Sequence, residues 1–157
     1  MAARIFQLNA SGGGVPKLPI REATIETNGL VGDVQKNTKI HGGPMRAVCL
    51  YSLERILELQ VEGHRIYPGA IGENITITGL PWTSLEAGQR WAFGDEVILE
   101  LVKQTDPCKN IAASFVGGNF KRVDHRDDAP PAWARWYARV ERTGRVRVGD
   151  SIERVLL

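Results

Sequence analysis

The sequence predicts a mainly β protein, a β-barrel decorated by a few short helices. Three observations carry this. Seventeen glycines and eight prolines in 157 residues call for many turns. Short alternating or β-branched runs recur along the chain, as in Ile75-Thr76-Ile77-Thr78. Only one segment, Ser52 to Val61, has clear helical spacing. Many short strands with one good helix argue for a β-barrel decorated by helices.

The strands are expected at 3–8, 20–27, 46–51, 74–78, 89–93, 96–104, 136–141, 145–148 and 151–156. In the helix, Ser52 is a suitable N-cap, and Leu53, Ile56, Leu57 and Gln60 follow its period. Gly88 to Ile98 resembles Gly144 to Ile152. Each has a glycine, a short strand, a Gly-Asp turn and another strand, and Gly32-Asp33 reads as a third such turn. Ser11-Gly12-Gly13-Gly14-Val15-Pro16 reads as a flexible turn, too short to divide domains, so a single domain over 1–157 is expected. The long loop 117–131 has the length of a cover over a site.

Composition narrows the function classes. The hydrophobic share of 43% and charged share of 24% suit a globular chain. A net charge of +2 demands neither nucleic acid nor membrane. Basic residues concentrate at 121–147, which is either an anion-attracting surface or a salt-bridged face. No apolar run has the length of a membrane span, and the first residues lack a signal-peptide core, so a cytoplasmic protein is expected. Two cysteines make no disulfide framework. With no CxxC and three histidines, a structural zinc site is not expected.

Four segments carry candidate chemistry. In Thr105-Asp106-Pro107-Cys108-Lys109-Asn110-Ile111, Asp106 reads as an N-cap and Pro107 as the first residue of a short helix. That would place Cys108 in the first turn, where free N–H groups favour the thiolate. Lys103 and Lys109 would help and Asp106 would oppose. A thiolate there can carry sulfur, attack an electrophile or bind a soft metal; a small buried filler is the competing reading. Cys49, within Ala47-Val48-Cys49-Leu50-Tyr51, reads as such a filler. In His41-Gly42-Gly43-Pro44 the glycines permit close backbone approach to a ligand, and His41 could relay a proton; a structural loop is the alternative. In Gly69-Ala70-Ile71-Gly72-Glu73-Asn74, Glu73 and Asn74 would project near a barrel rim, against the alternative of a structural turn. In Trp133 to Val140, Arg135 and Arg139 are suitable phosphate ligands, while the aromatics read as core.

Taken in order, these pieces resemble the MOSC domain family, and within it the small stand-alone bacterial YiiM-like type. The resemblance runs from about Gly29 to Asp150. It rests on Gly29-Leu30-Val31-Gly32-Asp33, His41-Gly42-Gly43, Ala70-Ile71-Gly72-Glu73-Asn74, Gly88 with Gly94-Asp95, Pro107-Cys108, Tyr137-Ala138-Arg139-Val140 and Gly149-Asp150. It implies a β-barrel whose characteristic cysteine falls on Cys108 and either binds molybdenum in the molybdenum cofactor, a molybdenum–pyranopterin, or carries sulfur. It implies Gly42, Gly43, Glu73, Asn74, Lys109 and Arg135 as cofactor contacts, with His41 beside Cys108 in the chemistry. Related members reduce N-hydroxylated compounds, which here would need a separate electron-donor protein. The alternatives are a Cys108 persulfide carrier served by a sulfur-donor protein, and a non-catalytic module that binds cofactor or protein. The family is also linked to pyridoxal phosphate through larger fused members, but nothing in this chain resembles their transferase domain. Where YiiM-type members often place an arginine shortly before Pro-Cys, this chain has Thr105-Asp106.

Overall fold

The computed structural model describes residues 2–34, 42–127 and 132–156. Among them are eleven strands: β1 (Arg4–Ala10), β2 (Leu18–Ile20), β3 (Glu22–Glu26), β4 (Gly29–Leu30), β5 (Val48–Ser52), β6 (Ile75–Thr78), β7 (Arg90–Phe93), β8 (Val97–Gln104), β9 (Trp136–Arg142), β10 (Gly144–Arg147) and β11 (Ile152–Arg154). One α-helix, α1 (Leu53–Val61), and several short 3-10 turns complete them. The protein is mainly β, as its sequence predicts.

The main sheet runs β11-β7-β8-β9-β5-β6-β1-β2, and β10-β3-β4 form a smaller one. β11, at one end of the main sheet, meets β1, the strand next to the other end. Ile5 N–H donates to Asp150 O at 2.9 Å, Gly149 N–H to Ile5 O at 2.8 Å and Ile152 N–H to Ala3 O at 3.0 Å. These bonds tie the first half of β1 to the start of β11, while its second half pairs with β2. The sheet thereby curls back on itself as a barrel and leaves few open edges.

Side-chain alternation explains how the strands face the core. In β3, Ala23 and Ile25 are buried while Glu22, Thr24 and Glu26 face water. β5 is buried at all five positions because it lies between β9 and a parallel β6. Ser52 caps α1 as expected, its Oγ accepting from Arg55 N–H at 3.1 Å. The helix buries Ile56 and Leu59, whereas Leu57 is exposed, so the apolar stripe is displaced from the expected one. The Glu54 carboxylate ties α1 to the end of β6 through Thr78 Oγ1 at 2.7 Å and Gly79 N–H at 3.0 Å.

Two expectations need correction. The strand expected over 20–27 breaks at Arg21, where the chain leaves the large sheet for the small one. The repeat of Gly88–Ile98 at Gly144–Ile152 is only local. β7 and β8 form a hairpin, but β10 pairs with β3 and β11 with β7, so Gly149-Asp150 carries the chain between sheets.

One glycine is indispensable to the barrel mouth. Gly69 has φ +90°, and a Cβ there would collide with the Lys17 carbonyl oxygen and approach the Asn9 side chain to 3.2 Å. Gly69→Ala is expected to lower stability by about 3 kcal/mol, from backbone strain and overlap together. Urea denaturation checks this, and a loss below about 0.5 kcal/mol would show that the two segments do not pack so closely.

Candidate functional site

A cavity of about 290 Å³ opens at one end of the barrel. Its floor follows from strand register. Cys49 on β5 stands opposite Tyr137 on β9, and Arg135 precedes Tyr137 by two residues on the same strand line. Thr105 N–H donates to Arg135 O at 2.9 Å, extending the β8–β9 ladder. Cys108 therefore leaves the end of β8 beside the point where Arg135 enters β9. Asn110 and Ile111 continue the Cys108 side. The opposite side is Ile71-Gly72 with Gly13-Gly14-Val15. A Cβ on Gly72 would come within 3.1 Å of Val15 Cγ1, so the glycine allows these two segments to meet.

The irregular lead-in to β9 is fixed by side chains from elsewhere. Arg55 Nε donates to Ala132 O at 2.8 Å, Tyr51 Oη to Trp133 O at 2.6 Å and Trp82 Nε1 to Ala134 O at 2.8 Å. Each satisfies a carbonyl that lacks a strand partner. They hold Arg135 in the wall, where it is only 5% exposed. Its Nη1 donates to Ile71 O at 2.7 Å, and its Nε has no hydrogen-bond partner among the described residues. The buried guanidinium is permanently charged, and the Glu73 carboxyl lies within its field.

Cys108 is half-buried. The helix expected around it differs from the structure. The element is a 3-10 turn over Lys109–Ser114, and Cys108 itself stands at its N-cap position in extended backbone, making no capping hydrogen bond with its side chain. Pro107 is buried ahead of the turn rather than inside it. Asp106 does not cap either, because its carboxylate meets His125 Nε2 at 2.8 Å. That contact draws the acid toward the 125–127 turn.

Cys49, which the sequence reads as filler, lines the same cavity. It is 5% exposed, and burial pushes its thiol up to about 11, with Arg135 partly opposing. Burial also raises the Tyr137 hydroxyl well above its ordinary range. Both groups therefore hold their protons near neutral pH.

Behind this floor lies a buried polar network. Asn74 Oδ1 accepts from Cys49 N–H at 3.0 Å, and Asn74 N–H donates to Cys49 O at 2.8 Å. Asn74 Nδ2 donates to Asp33 Oδ2 at 2.9 Å. Lys17 Nζ lies 2.6 Å from the same oxygen, with the two side chains 6% and 4% exposed. Glu73 is fully buried, and its Oε2 accepts from Thr76 Oγ1 at 3.0 Å. Burial raises its carboxyl, opposed by the Gly69 and Glu73 backbone N–H groups, by Thr76 and by Arg135.

The structure thus brings Cys108 and Arg135 together at the cavity and sets Glu73 and Asn74 behind it. Gly42-Gly43 lead into the Pro44–Arg46 turn, which packs on β9 but is not part of the cavity lining. Lys109 is exposed outside it. His41 and the 128–131 part of the long loop lie outside the described residues. Arg139 is committed to Glu100, with two contacts of 3.1 Å. The basic region follows the salt-bridged reading at Arg122–Glu62, Arg126–Asp124 and Arg145–Glu22. Trp133 is stacked by Arg122 at 3.9 Å and Arg55 at 5.0 Å.

Sequence reasoning missed Cys49, Tyr137 and the glycine segment 13–14. Ser11 closes that segment as a turn, its Oγ donating to Gly14 O at 2.8 Å, and its N–H donates to Asp33 Oδ1 at 3.0 Å.

Fold and cavity together define a small β-barrel protein with a half-buried thiol and a buried arginine lining one cavity. Within that class the chain belongs to the MOSC domain family, whose pattern matches residues 37–153. It is 32% identical to the YiiM protein of Escherichia coli over 91 residues, covering 55% of this chain and 40% of that protein. It is 28% identical to YflK of Bacillus subtilis over 143 residues, covering 89% of this chain and 62% of that one. A reductase of Gibberella moniliformis is 29% identical over 128 residues, 79% of this chain and 22% of the relative. The chain thus spans less than two thirds of the length of each of these relatives. Solved structures share the fold. YiiM of Geobacillus stearothermophilus superposes with a TM-score of 0.78 at 19% identity, over 98% of this chain and 75% of that one. The YuaD protein of Bacillus subtilis gives 0.73 at 22%, over 100% and 98%. No helix among the described residues is long and apolar enough to cross a membrane.

Proposed function

We propose that this protein binds the molybdenum cofactor at the cavity, with Cys108 as the metal ligand and Arg135 as the anchor for an anionic group. The observation that carries this reading is that a half-buried thiol and a buried, permanently charged guanidinium line the same cavity. The residues fit the group. A thiolate is a soft ligand suited to such a metal. The backbones of Gly13, Gly14 and Gly72 can come close to a flat ring, and Asn110 and Tyr137 add polar edges. When bound, the cofactor supplies oxygen-atom removal coupled to electrons from a separate donor protein, with N-hydroxylated compounds as the substrate class.

The chain's own residues divide the remaining work. Arg135 holds negative charge in a desolvated wall, where it acts more strongly than in water. Cys49 and Tyr137 stay protonated and close the floor. Asn74 fixes the Cys49 backbone, and Glu73 lies within the field of Arg135. Gly42, Gly43 and Lys109 lie outside the cavity lining, where they would bear on substrate entry. Protein made in cofactor-producing cells should carry molybdenum in about a one-to-one ratio, and Cys108→Ser should lose it. Metal analysis that finds none under any condition would end this reading.

A second reading is favoured by the exposure of Cys108. A thiol at a cavity rim can be reached by a sulfur donor and an acceptor, as a persulfide carrier requires. Intact mass after exposure to a sulfur donor tests it, since the gain of one sulfur must disappear in Cys108→Ser.

A further inference from the structure

We propose that His64 is a proton-sensitive clip on the turns that follow Cys108. Its neutral ring holds them to the end of α1, and its protonated ring releases them. The proposal is independent of what Cys108 carries.

Residues 109–123 form three consecutive 3-10 turns. Much of their backbone bonding is local, as from Ile111 N–H to Cys108 O, Phe115 N–H to Ala112 O, Gly118 N–H to Phe115 O and Arg122 N–H to Asn119 O. Short turns of this kind contribute little order of their own. Three polar ties join them to residues 62–65, where the chain leaves α1. Arg65 N–H donates to Ser114 O at 3.0 Å. The Arg122 guanidinium meets both Glu62 carboxylate oxygens, at 2.9 and 2.7 Å. Val116 N–H donates to His64 Nδ1 at 3.1 Å.

The last of these depends on a proton. Because Nδ1 accepts, the ring is neutral and carries its proton on Nε2, which faces Glu62 Oε1 at 3.4 Å. A second proton must go onto Nδ1, the atom that Val116 N–H addresses. Two donors then face each other and the tie is lost. The His64 side chain is 8% exposed and packs on Phe115 with the ring centroids 5.2 Å apart, so it has little room to turn aside. The charged groups at the ring are Glu62 from the α1 side and, through Glu62, Arg122 from the turn side, while Phe115 brings none. A protonated ring is drawn to Glu62 and competes there with Arg122, whose guanidinium also stacks on Trp133 at 3.9 Å. One proton thus weakens two of the three ties, on the segment that carries Ile111 to the cavity wall.

The test uses the full chain, labelled with 15N and followed by NMR from pH 8 to 5, the range in which an imidazole takes up a proton. At pH 8 the His64 ring should carry its proton on Nε2. The Val116 amide should shift with the midpoint of the His64 ring and not with that of His125, whose Nε2 meets Asp106. Hydrogen-exchange protection of that amide, corrected for the intrinsic effect of pH, should fall about tenfold by pH 5, while protection in β5 and β6 holds. His64→Asn does not titrate, and its Oδ1 can replace Nδ1 as the acceptor, so it should keep Val116 protected at both pH values. A Val116 amide that ignores the His64 midpoint, a proton on Nδ1 at pH 8, or an unchanged pH response in His64→Asn would each overturn the proposal. If His64→Asn does not fold, the wild-type midpoints decide alone.

Discussion

Asp33→Ala should destabilise the fold by about 3–5 kcal/mol, the range for removing one partner of a buried ion pair. Lys17 Nζ sits 2.6 and 2.7 Å from the two Asp33 oxygens, with both side chains almost wholly buried. Without the carboxylate the ammonium has lost the counter-charge that the structure shows on it. Two further bonds go at the same time, from Ser11 N–H and from Asn74 Nδ2. Each matters to the cavity, since Ser11 anchors the glycine segment on one side and Asn74 clamps Cys49 on the floor. Urea denaturation should show the loss, and ligand binding should weaken more than stability alone explains. The double variant Lys17→Met with Asp33→Leu should recover much of the stability, because the penalty belongs to the unpaired charge rather than to the missing pair. A loss under about 1 kcal/mol in Asp33→Ala would mean that the pair behaves as a solvated surface contact.

Asp33 also shows where the sequence stops being readable. Gly32-Asp33 looks like another Gly-Asp turn, and locally that is sound chemistry. Its burial depends on Lys17, sixteen residues earlier, and Asn74, forty-one residues later. No local pattern reports that meeting. Periodicity worked where the partner did not matter. It located β8, where Val97, Leu99 and Leu101 are buried and the residues between them less so, the β-branched run located β6, which is buried at both isoleucines and at Thr76, and Ser52 was visible as a cap. It failed at Arg21, because a change of sheet leaves the alternation intact. Cys108 stood out through Pro107 and its position after an apolar strand. Cys49 did not, since a thiol inside Ala47–Tyr51 reads as core until the β5–β9 register sets it against Tyr137. The helix at Cys108 was misread for a related reason. Asp106 is a good cap by composition, but its carboxylate is taken by His125, nineteen residues on. The functional part of the site is thus a product of non-local pairing, legible at Cys108 and Arg135 as residue types and hidden at the residues that hold them.

The two thiols should differ sharply in reactivity. Native protein treated with iodoacetamide at pH 8 is expected to be alkylated at Cys108 and spared at Cys49. Only the thiolate reacts, and with its thiol pushed up to about 11, Cys49 is ionised in roughly one molecule in a thousand at that pH. Its 5% exposure limits access further, while Cys108 stands half-exposed at the rim. Peptide mapping should therefore show one label in the native state and two in urea, and Cys49→Ser should leave the native pattern unchanged. Higher pH works through the fold. The folded thiol of Cys49 ionises well above its ordinary value of 9.0, so its contribution to stability is fully present below that pH. Between about 9 and 11 the unfolded state gives up the proton first, and stability falls with a limiting slope of about 1.4 kcal/mol per pH unit. Labelling of Cys49 should then rise together with unfolding rather than ahead of it. Rapid labelling of Cys49 in folded protein at pH 8 would show that the cavity floor opens on its own. Cys49 could then compete with Cys108 for any electrophile that enters.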